Sequence, residues 1–312
     1  MAMKYRRLGK TGLRVSVIGI GTYQFGGSWG KDFTQREVDL IFEAARDQGV
    51  NLIDTAECYG DHLAESLVGG AIRRDRDRWI VATKFGHRRV APLETEPAWS
   101  AQEVRRQLER SLRALRTDHI DLYQFHSGPN EAFDNEALWS MLERQVRHGK
   151  VRWLGLSLTR KSTEDRHYQL ERAGLVGAGA IQVPYNRLES YAEERILPYC
   201  IEQDLGVIAR VPLASGFLSG KYASDFAFAP TDTRAKKYTS ERIREILAQV
   251  ERIRGRELPE GVPLTSWALT WSLRHPAVAC VIPGCKNSAQ AAQNASAAGL
   301  DLVAADHPLA LP

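Results

Sequence analysis

Apolar and polar positions follow two distinct periods along this chain. Short runs rich in aliphatic and β-branched residues occur at Val15–Gly21, Val50–Asp54, Trp79–Lys84, Ile120–His126, Arg152–Ser157, Ala180–Pro184, Gly206–Arg210 and Ala279–Pro283. They predict eight strands. Between them apolar residues recur at three- and four-residue steps, predicting helices over Thr34–Gln48, Ala64–Arg73, Ala101–Leu115, Glu136–His148, Ser162–Arg172, Ala192–Gln203 and Ser288–Ala298. Ser100 followed by Glu103 is a capping signal for the third helix, and Val104, Leu108, Ser111, Leu112 and Leu115 form its inner face. Gly49, Gly149 and Gly206 stand at or near helix ends, where glycine takes a left-handed conformation most easily. Runs such as Ile80–Thr83 are apolar on both faces, as parallel strands covered by helices are.

Eight β-then-α units with no linker between them predict an α/β protein, a (β/α)8 TIM barrel formed as a single domain over residues 1–312. A dinucleotide-binding doubly wound sheet would need Gly-x-Gly-x-x-Gly after the first strand. Here Gly19-Ile20-Gly21 is followed by Thr22-Tyr23-Gln24, so that motif is absent. Residues Lys4–Ser16, turning at Gly9–Gly12, read as a β-hairpin cap on the N-terminal mouth. Strands seven and eight are separated by about seventy residues, a length typical of functional or disordered connections. This insertion contains a loop (Ala214–Thr233), a charged helix (Ser240–Arg254), a Pro/Gly break (Pro259–Pro263) and a Trp-containing helix (Leu264–Arg274), and is expected to lie over the active-site face.

Composition adds mainly exclusions. With 43% apolar and 26% charged residues among 312, the chain is neither disordered, nor collagen-like, nor a disulfide scaffold. The net charge of +4 is spread out, and the sharpest basic cluster, Arg73–Arg78, is broken by Asp75 and Asp77. That reads as a solvated loop and predicts no nucleic-acid partner. Cys58, Cys200, Cys280 and Cys285 match no zinc spacing, so no metal is expected. Met1–Lys10 lacks the apolar core of a signal peptide, and no run reaches the ~20 apolar residues of a membrane span. A cytoplasmic location without membrane contact is expected.

The ends of three consecutive strands carry the chemistry. Strand two ends in Asp54, strand three in Lys84 and strand four in His126, with Tyr59 in the loop after Asp54. Barrel enzymes react at the C-terminal ends of their strands. A phenol is a poor acid at neutral pH; an ammonium stabilises its phenolate, and a carboxylate orients the ammonium. A histidine can polarise the same carbonyl oxygen. Together they suit proton transfer to a reacting oxygen, and a bound cofactor must supply the electrons.

At these residues the chain resembles the aldo-keto reductases over essentially its whole length. The resemblance rests on Gly19–Thr22, Asp54–Gly60, Val81–Lys84, Asp121–His126, Gly155–Ser157, Ile181–Asn186, Pro212–Tyr222 and Val281–Gly284, in the family's order. It implies a (β/α)8 fold and reduction of a small-molecule aldehyde or ketone by NADPH. Tyr59 would be the general acid, tuned by Lys84 and Asp54, with His126 orienting the carbonyl. Ser157 and Gln182 would hold the nicotinamide carboxamide, with Gly21, Thr22, Tyr23 and Asp54 beside the cofactor. Pro212, Leu213, Ser215, Lys221 and Arg234 would follow the pyrophosphate, and Gly284, Lys286, Gln290, Gln293 and Asn294 the adenosine phosphate end. From their positions after strands one and three, Tyr23, Phe25, Trp29 and Phe85 can line a substrate pocket with Tyr59 and His126, or pack in the core or a lid. Trp153, Trp267 and Trp271 read as packing residues.

Three positions depart from the family pattern. Leu158 replaces an asparagine common after the serine. Arg210 stands where an aromatic residue often stacks on the nicotinamide, and its planar guanidinium can stack there instead. Gln290 stands where many members hold the 2′-phosphate with arginine; Lys286 can supply that charge, and NADH stays open as a cofactor. Two other functions fit parts of the sequence. A cofactor-binding regulatory subunit, like the potassium-channel β subunits, can lack the histidine that this chain keeps at His126. A Schiff-base aldolase using Lys84 would need a neutral amine, which Asp54 opposes. Substrate and oligomeric state are not encoded in these motifs.

Overall fold

The computed structural model describes residues 2–91, 94–223 and 225–302. Among the described residues twelve strands run in order: β1 (Tyr5–Arg7), β2 (Arg14–Ser16), β3 (Ile20–Gly21), β4 (Leu52–Asp54), β5 (Ile80–Phe85), β6 (His87–Ala91), β7 (Glu94–Pro97), β8 (Ile120–His126), β9 (Val151–Ser157), β10 (Ala178–Pro184), β11 (Gly206–Arg210) and β12 (Val278–Val281). The eight strands β3, β4, β5, β8, β9, β10, β11 and β12 pair in that order, every pair parallel. Gly19 N donates to the Val281 carbonyl (2.8 Å), Val281 N to Val17 (2.9 Å) and Gly21 N to Pro283 (3.1 Å), which joins the last strand to the first. The fold is the expected (β/α)8 barrel.

The first expected strand is divided. Val15 and Ser16 belong to the antiparallel β1–β2 hairpin, and only Ile20–Gly21 enters the barrel sheet. Leu8, Leu13 and Val15 of the hairpin region pack with Leu52, Ala82, Leu122, Ala180, Ile208 and Ala279, so the hairpin plugs the barrel interior from below. Gly206 serves this plug rather than a helix end: a Cβ there would come within 2.5 Å of Leu8 Cγ, and Asp204 takes the left-handed position (φ 50°) instead. A second, larger core lies between the strands and the surrounding helices.

The helices are α1 (Gln35–Asp47), α2 (Leu63–Ile72), α3 (Ala101–Leu115), α4 (Asn130–Phe133), α5 (Glu136–Arg147), α6 (Thr163–Glu171), α7 (Ile196–Glu202), α8 (Thr233–Lys237), α9 (Ser240–Arg256), α10 (Leu264–Arg274) and α11 (Ser288–Ser296). Thr34 caps α1 in a full capping box with Glu37, and Ser100 caps α3 by accepting from Glu103 N. The predicted face of α3 is the buried one, with Gln107 added. Within the connection from β11 to β12, α8 adds a turn between the expected loop and the expected charged helix, where no element was expected. The β6–β7 hairpin was not expected either, because its strands are polar and mostly exposed. Gly86 launches it with φ 116°, and a Cβ there would lie 1.6 Å from the Trp99 ring. Among the described residues no helix is long and apolar enough to cross a membrane.

Candidate active site

Register decides which strand ends meet at the barrel mouth. Asp54 lies opposite Gly21 and Ala82, Lys84 opposite Gln124, and Ser157 opposite both His126 and Gln182. Lys84 is fully buried, and its Nζ donates to both carboxylate oxygens of Asp54 (2.8 Å each) and to the Thr55 carbonyl (2.7 Å). Gln182 Nε2 donates to Asp54 Oδ1 at 2.6 Å, and Gln124 Nε2 adds a longer contact of 3.4 Å. A charge pair in a dry interior holds together when such extra hydrogen bonds complete it.

The turn after β4 brings the Tyr59 hydroxyl to 3.4 Å from Lys84 Nζ. Its ring stands edge-on to Tyr23 (5.0 Å) and to His126 (6.1 Å). Burial pushes the phenol pKa well above the usual value; the Asp54 charge adds to this and Arg210 opposes it. The lysine expected to lower that pKa is neutralised by Asp54 on both oxygens, so burial dominates and the phenol keeps its proton. His126 is pushed well below the usual histidine value, chiefly by burial and further by the His87, Lys84 and Arg210 charges. It is therefore neutral, able to donate from one ring nitrogen. Its Nδ1 lies 3.7 Å from Cys58 Sγ.

Glu57 lies behind this group. One carboxylate oxygen accepts from His87 N (2.9 Å), the other has no hydrogen-bond partner among the described residues, and burial pushes its pKa up to about 8. Ligand-type atoms of Glu57, Cys58 and His126 lie within 4.8 Å of one another. The sequence reading gave none of these roles to Glu57. A buried carboxyl is visible only once its surroundings are assembled.

An open cavity of about 750 Å³ occupies the mouth. Of the residues selected from sequence, Gly21, Thr22, Tyr23, Trp29, Asp54, Tyr59, His126, Gln182 and Arg210 reach its wall. So do Pro212, Leu213, Ser215, Lys221, Arg234, Gly284, Lys286, Gln290, Gln293 and Asn294. Lys84 and Ser157 do not line it: Lys84 lies beneath Tyr59, and the Ser157 hydroxyl donates to Gln182 Oε1 (3.2 Å). Phe25 and Phe85 are corrected to core positions. Both are fully buried, Phe25 against Phe33 and Phe85 among Tyr123, Phe125, Trp99 and Trp139. Trp267 and Trp271 are buried packing residues, and Trp153 packs against the barrel interior. Cys58, His87, Arg89 and Arg160 also line the cavity, though the sequence reading did not select them. His87 and Arg89 arrive on the unforeseen β6 strand, immediately after the strand that carries Lys84.

The other part of the cavity is cationic. Lys221 and Lys286 have no ion pair among the described residues, and both have lowered pKa values, first from burial and then from the Arg234 charge. Arg234 braces the wall: it pairs with Asp232 (2.6 Å), donates to the Ser215 carbonyl (2.8 Å) and Tyr222 Oη (3.0 Å), and stacks over Trp29 (4.2 Å). Thr233 N donates to the Ser28 carbonyl (3.1 Å), so the insertion crosses to the loop after β3. Asn287 caps α11, whose first turn faces the cavity at Gln290. Crowded cations beside a helix N-terminus suit phosphate groups, because an anion relieves their repulsion and accepts from free backbone N–H groups.

A model of the Aldo/keto reductase family matches residues 17–309. The uncharacterized oxidoreductase YrpG of Bacillus subtilis is 33% identical over 90% of this chain and 87% of its own length. The aldo-keto reductase YhdN of the same organism is 30% identical over 92% and 86%. The solved structure of aldo-keto reductase AKR11C1 from Bacillus halodurans in its holo form superposes with a TM-score of 0.80 at 28% identity, over 97% of this chain and 93% of that one.

Proposed function

Because the chain belongs to the aldo/keto reductase family, we propose that it reduces an aldehyde or ketone to an alcohol using NADPH, with Tyr59 as the general acid. The bound cofactor would supply the hydride. Lys221 and Lys286, with the Pro212–Ser215 backbone and Arg234 behind it, suit the phosphates. Gly284, Gln290, Gln293 and Asn294 suit the adenosine end, and Gly21, Thr22 and Tyr23 the nicotinamide side. Gln182 is committed through its amide to Asp54 and Ser157, which fixes its orientation for a carboxamide contact.

The rest follows from the chain's own groups. The carbonyl oxygen would accept from the Tyr59 hydroxyl and from the neutral His126 ring, both held ready before substrate arrives. As negative charge develops on that oxygen, Tyr59 gives up its proton. Lys84 then stabilises the phenolate from 3.4 Å, while Asp54 keeps the ammonium in place. One observation carries this reading: the buried Lys84–Asp54 pair lies directly under a protonated tyrosine on a cavity wall. The complete group, His126 included, supports turnover over a purely regulatory role.

The test is carbonyl-dependent loss of the reduced-nicotinamide absorbance across an aldehyde and ketone panel. Tyr59→Phe should lower kcat by about 10²- to 10⁴-fold while NADPH affinity, read by fluorescence, stays the same. A panel without turnover, or a Tyr59→Phe rate equal to wild type, would overturn the proposal.

A further inference from the structure

Arg210 ends β11 on the cavity wall. One terminal nitrogen donates to the Leu158 carbonyl (2.9 Å), and its buried Nε has no hydrogen-bond partner among the described residues. Among the described residues no carboxylate pairs with it, whereas Arg160 and Arg234 on the same wall hold Glu189 and Asp232. Arg210 lines the same cavity as Tyr59 and His126, burial lowers its pKa, and its charge acts on both of those groups. Arg89, also on the wall, reaches only the Ala91 carbonyl and likewise has no ion pair among the described residues. Glu189 acts on the Arg210 charge without pairing with it, being held by Arg160, and Asp54 is already held by Lys84.

A half-buried guanidinium on a cavity wall, without a carboxylate among the described residues, is stabilised when an anion completes it from the cavity side. The cofactor phosphates have their own cations in Lys221 and Lys286. We propose that Arg210 is a specificity-determining residue and that the preferred carbonyl substrates carry a carboxylate. This rests on the reductase reading above: hydride goes to the carbonyl carbon, the Tyr59 proton goes to its oxygen, and the carboxylate is unchanged. Stacking on the nicotinamide is compatible, because stacking uses the guanidinium face and carboxylate binding its N–H edge.

A matched pair tests it: para-formylbenzoate and its neutral methyl ester, with NADPH. Wild type should favour the acid by about tenfold or more in kcat/KM, the effect of a hydrogen bond to a charged group. Arg210→Met should lose that preference by lowering the acid rate about 10- to 100-fold beyond any change in the ester rate, and Arg210→Lys should restore part of it. Calorimetry should show para-(hydroxymethyl)benzoate, the product, binding wild type more tightly than Arg210→Met. NADPH binding by the variant checks that it is folded. Acid and ester rates falling by one factor, or wild type without preference, would overturn the inference while leaving the reductase reading intact. Absence of turnover with both aldehydes in wild type overturns the inference, and absence across the whole aldehyde and ketone panel overturns the reductase reading as well.

Discussion

Lys84 grips Asp54 symmetrically: Nζ lies 2.8 Å from each carboxylate oxygen, with side chains 1% and 5% exposed. Neither charge has water to fall back on, so each depends on the other for its stability as well as for its chemistry. Asp54→Asn leaves a buried ammonium uncompensated and should destabilise the protein by about 3–5 kcal/mol, read from the denaturant midpoint. The double variant Asp54→Leu/Lys84→Met should recover much of that stability and none of the activity. If both variants are equally destabilised, packing rather than charge governs the site.

Glu57 makes stability depend on pH. Its carboxyl, ordinarily near 4.5, is pushed up to about 8 in the folded chain, chiefly by burial. Between those values the folded state holds a proton that the unfolded state has released. Stability therefore falls as pH rises, by at most about 1.4 kcal/mol per unit for this one group. Glu57→Gln removes the titration, so its stability relative to wild type should improve steadily from about pH 5 to about pH 8 and then level off. A difference that stays constant across that range would show that Glu57 titrates normally.

Lys286 sits in the cationic part of the cavity without an ion pair among the described residues. Lys286→Met should weaken NADPH binding by about tenfold and NADH binding much less, if its ammonium meets the additional phosphate. Fluorescence titration with each cofactor reads this directly. Raising the ionic strength should shrink the difference, because the site is open and screened. Equal weakening of both cofactors would move the lysine to the shared pyrophosphate.

Much of the site was legible because its residues are tied to strand ends. Asp54, Lys84 and His126 close three runs whose apolar pattern marks them as neighbouring strands, and Tyr59 follows in the same turn. The residues of the cationic part of the cavity came from the family resemblance of the segments after strands seven and eight, and the structure brings them to one wall. Phe25 and Phe85 were misplaced because an aromatic residue following a strand carries no local sign of whether it faces a cavity or a core. Phe85 entered the core because Tyr123 and Phe125 of β8 and Trp99 were there to receive it.

By itself, the sequence determined the number and order of the β/α units, the plugging hairpin and the residues that crowd one mouth of the barrel. These follow from local periodicity and from short spacings along the chain. Only the tertiary structure decided what surrounds each group: that Asp54 spends both oxygens on Lys84, that burial raises the Tyr59 phenol pKa, and that one Glu57 oxygen lacks a partner among the described residues. It also decided that Arg210 faces the cavity without an acid while Arg160 and Arg234 each have one. Solvation and charge pairing depend on atoms brought together from distant parts of the chain, and no window of sequence contains them.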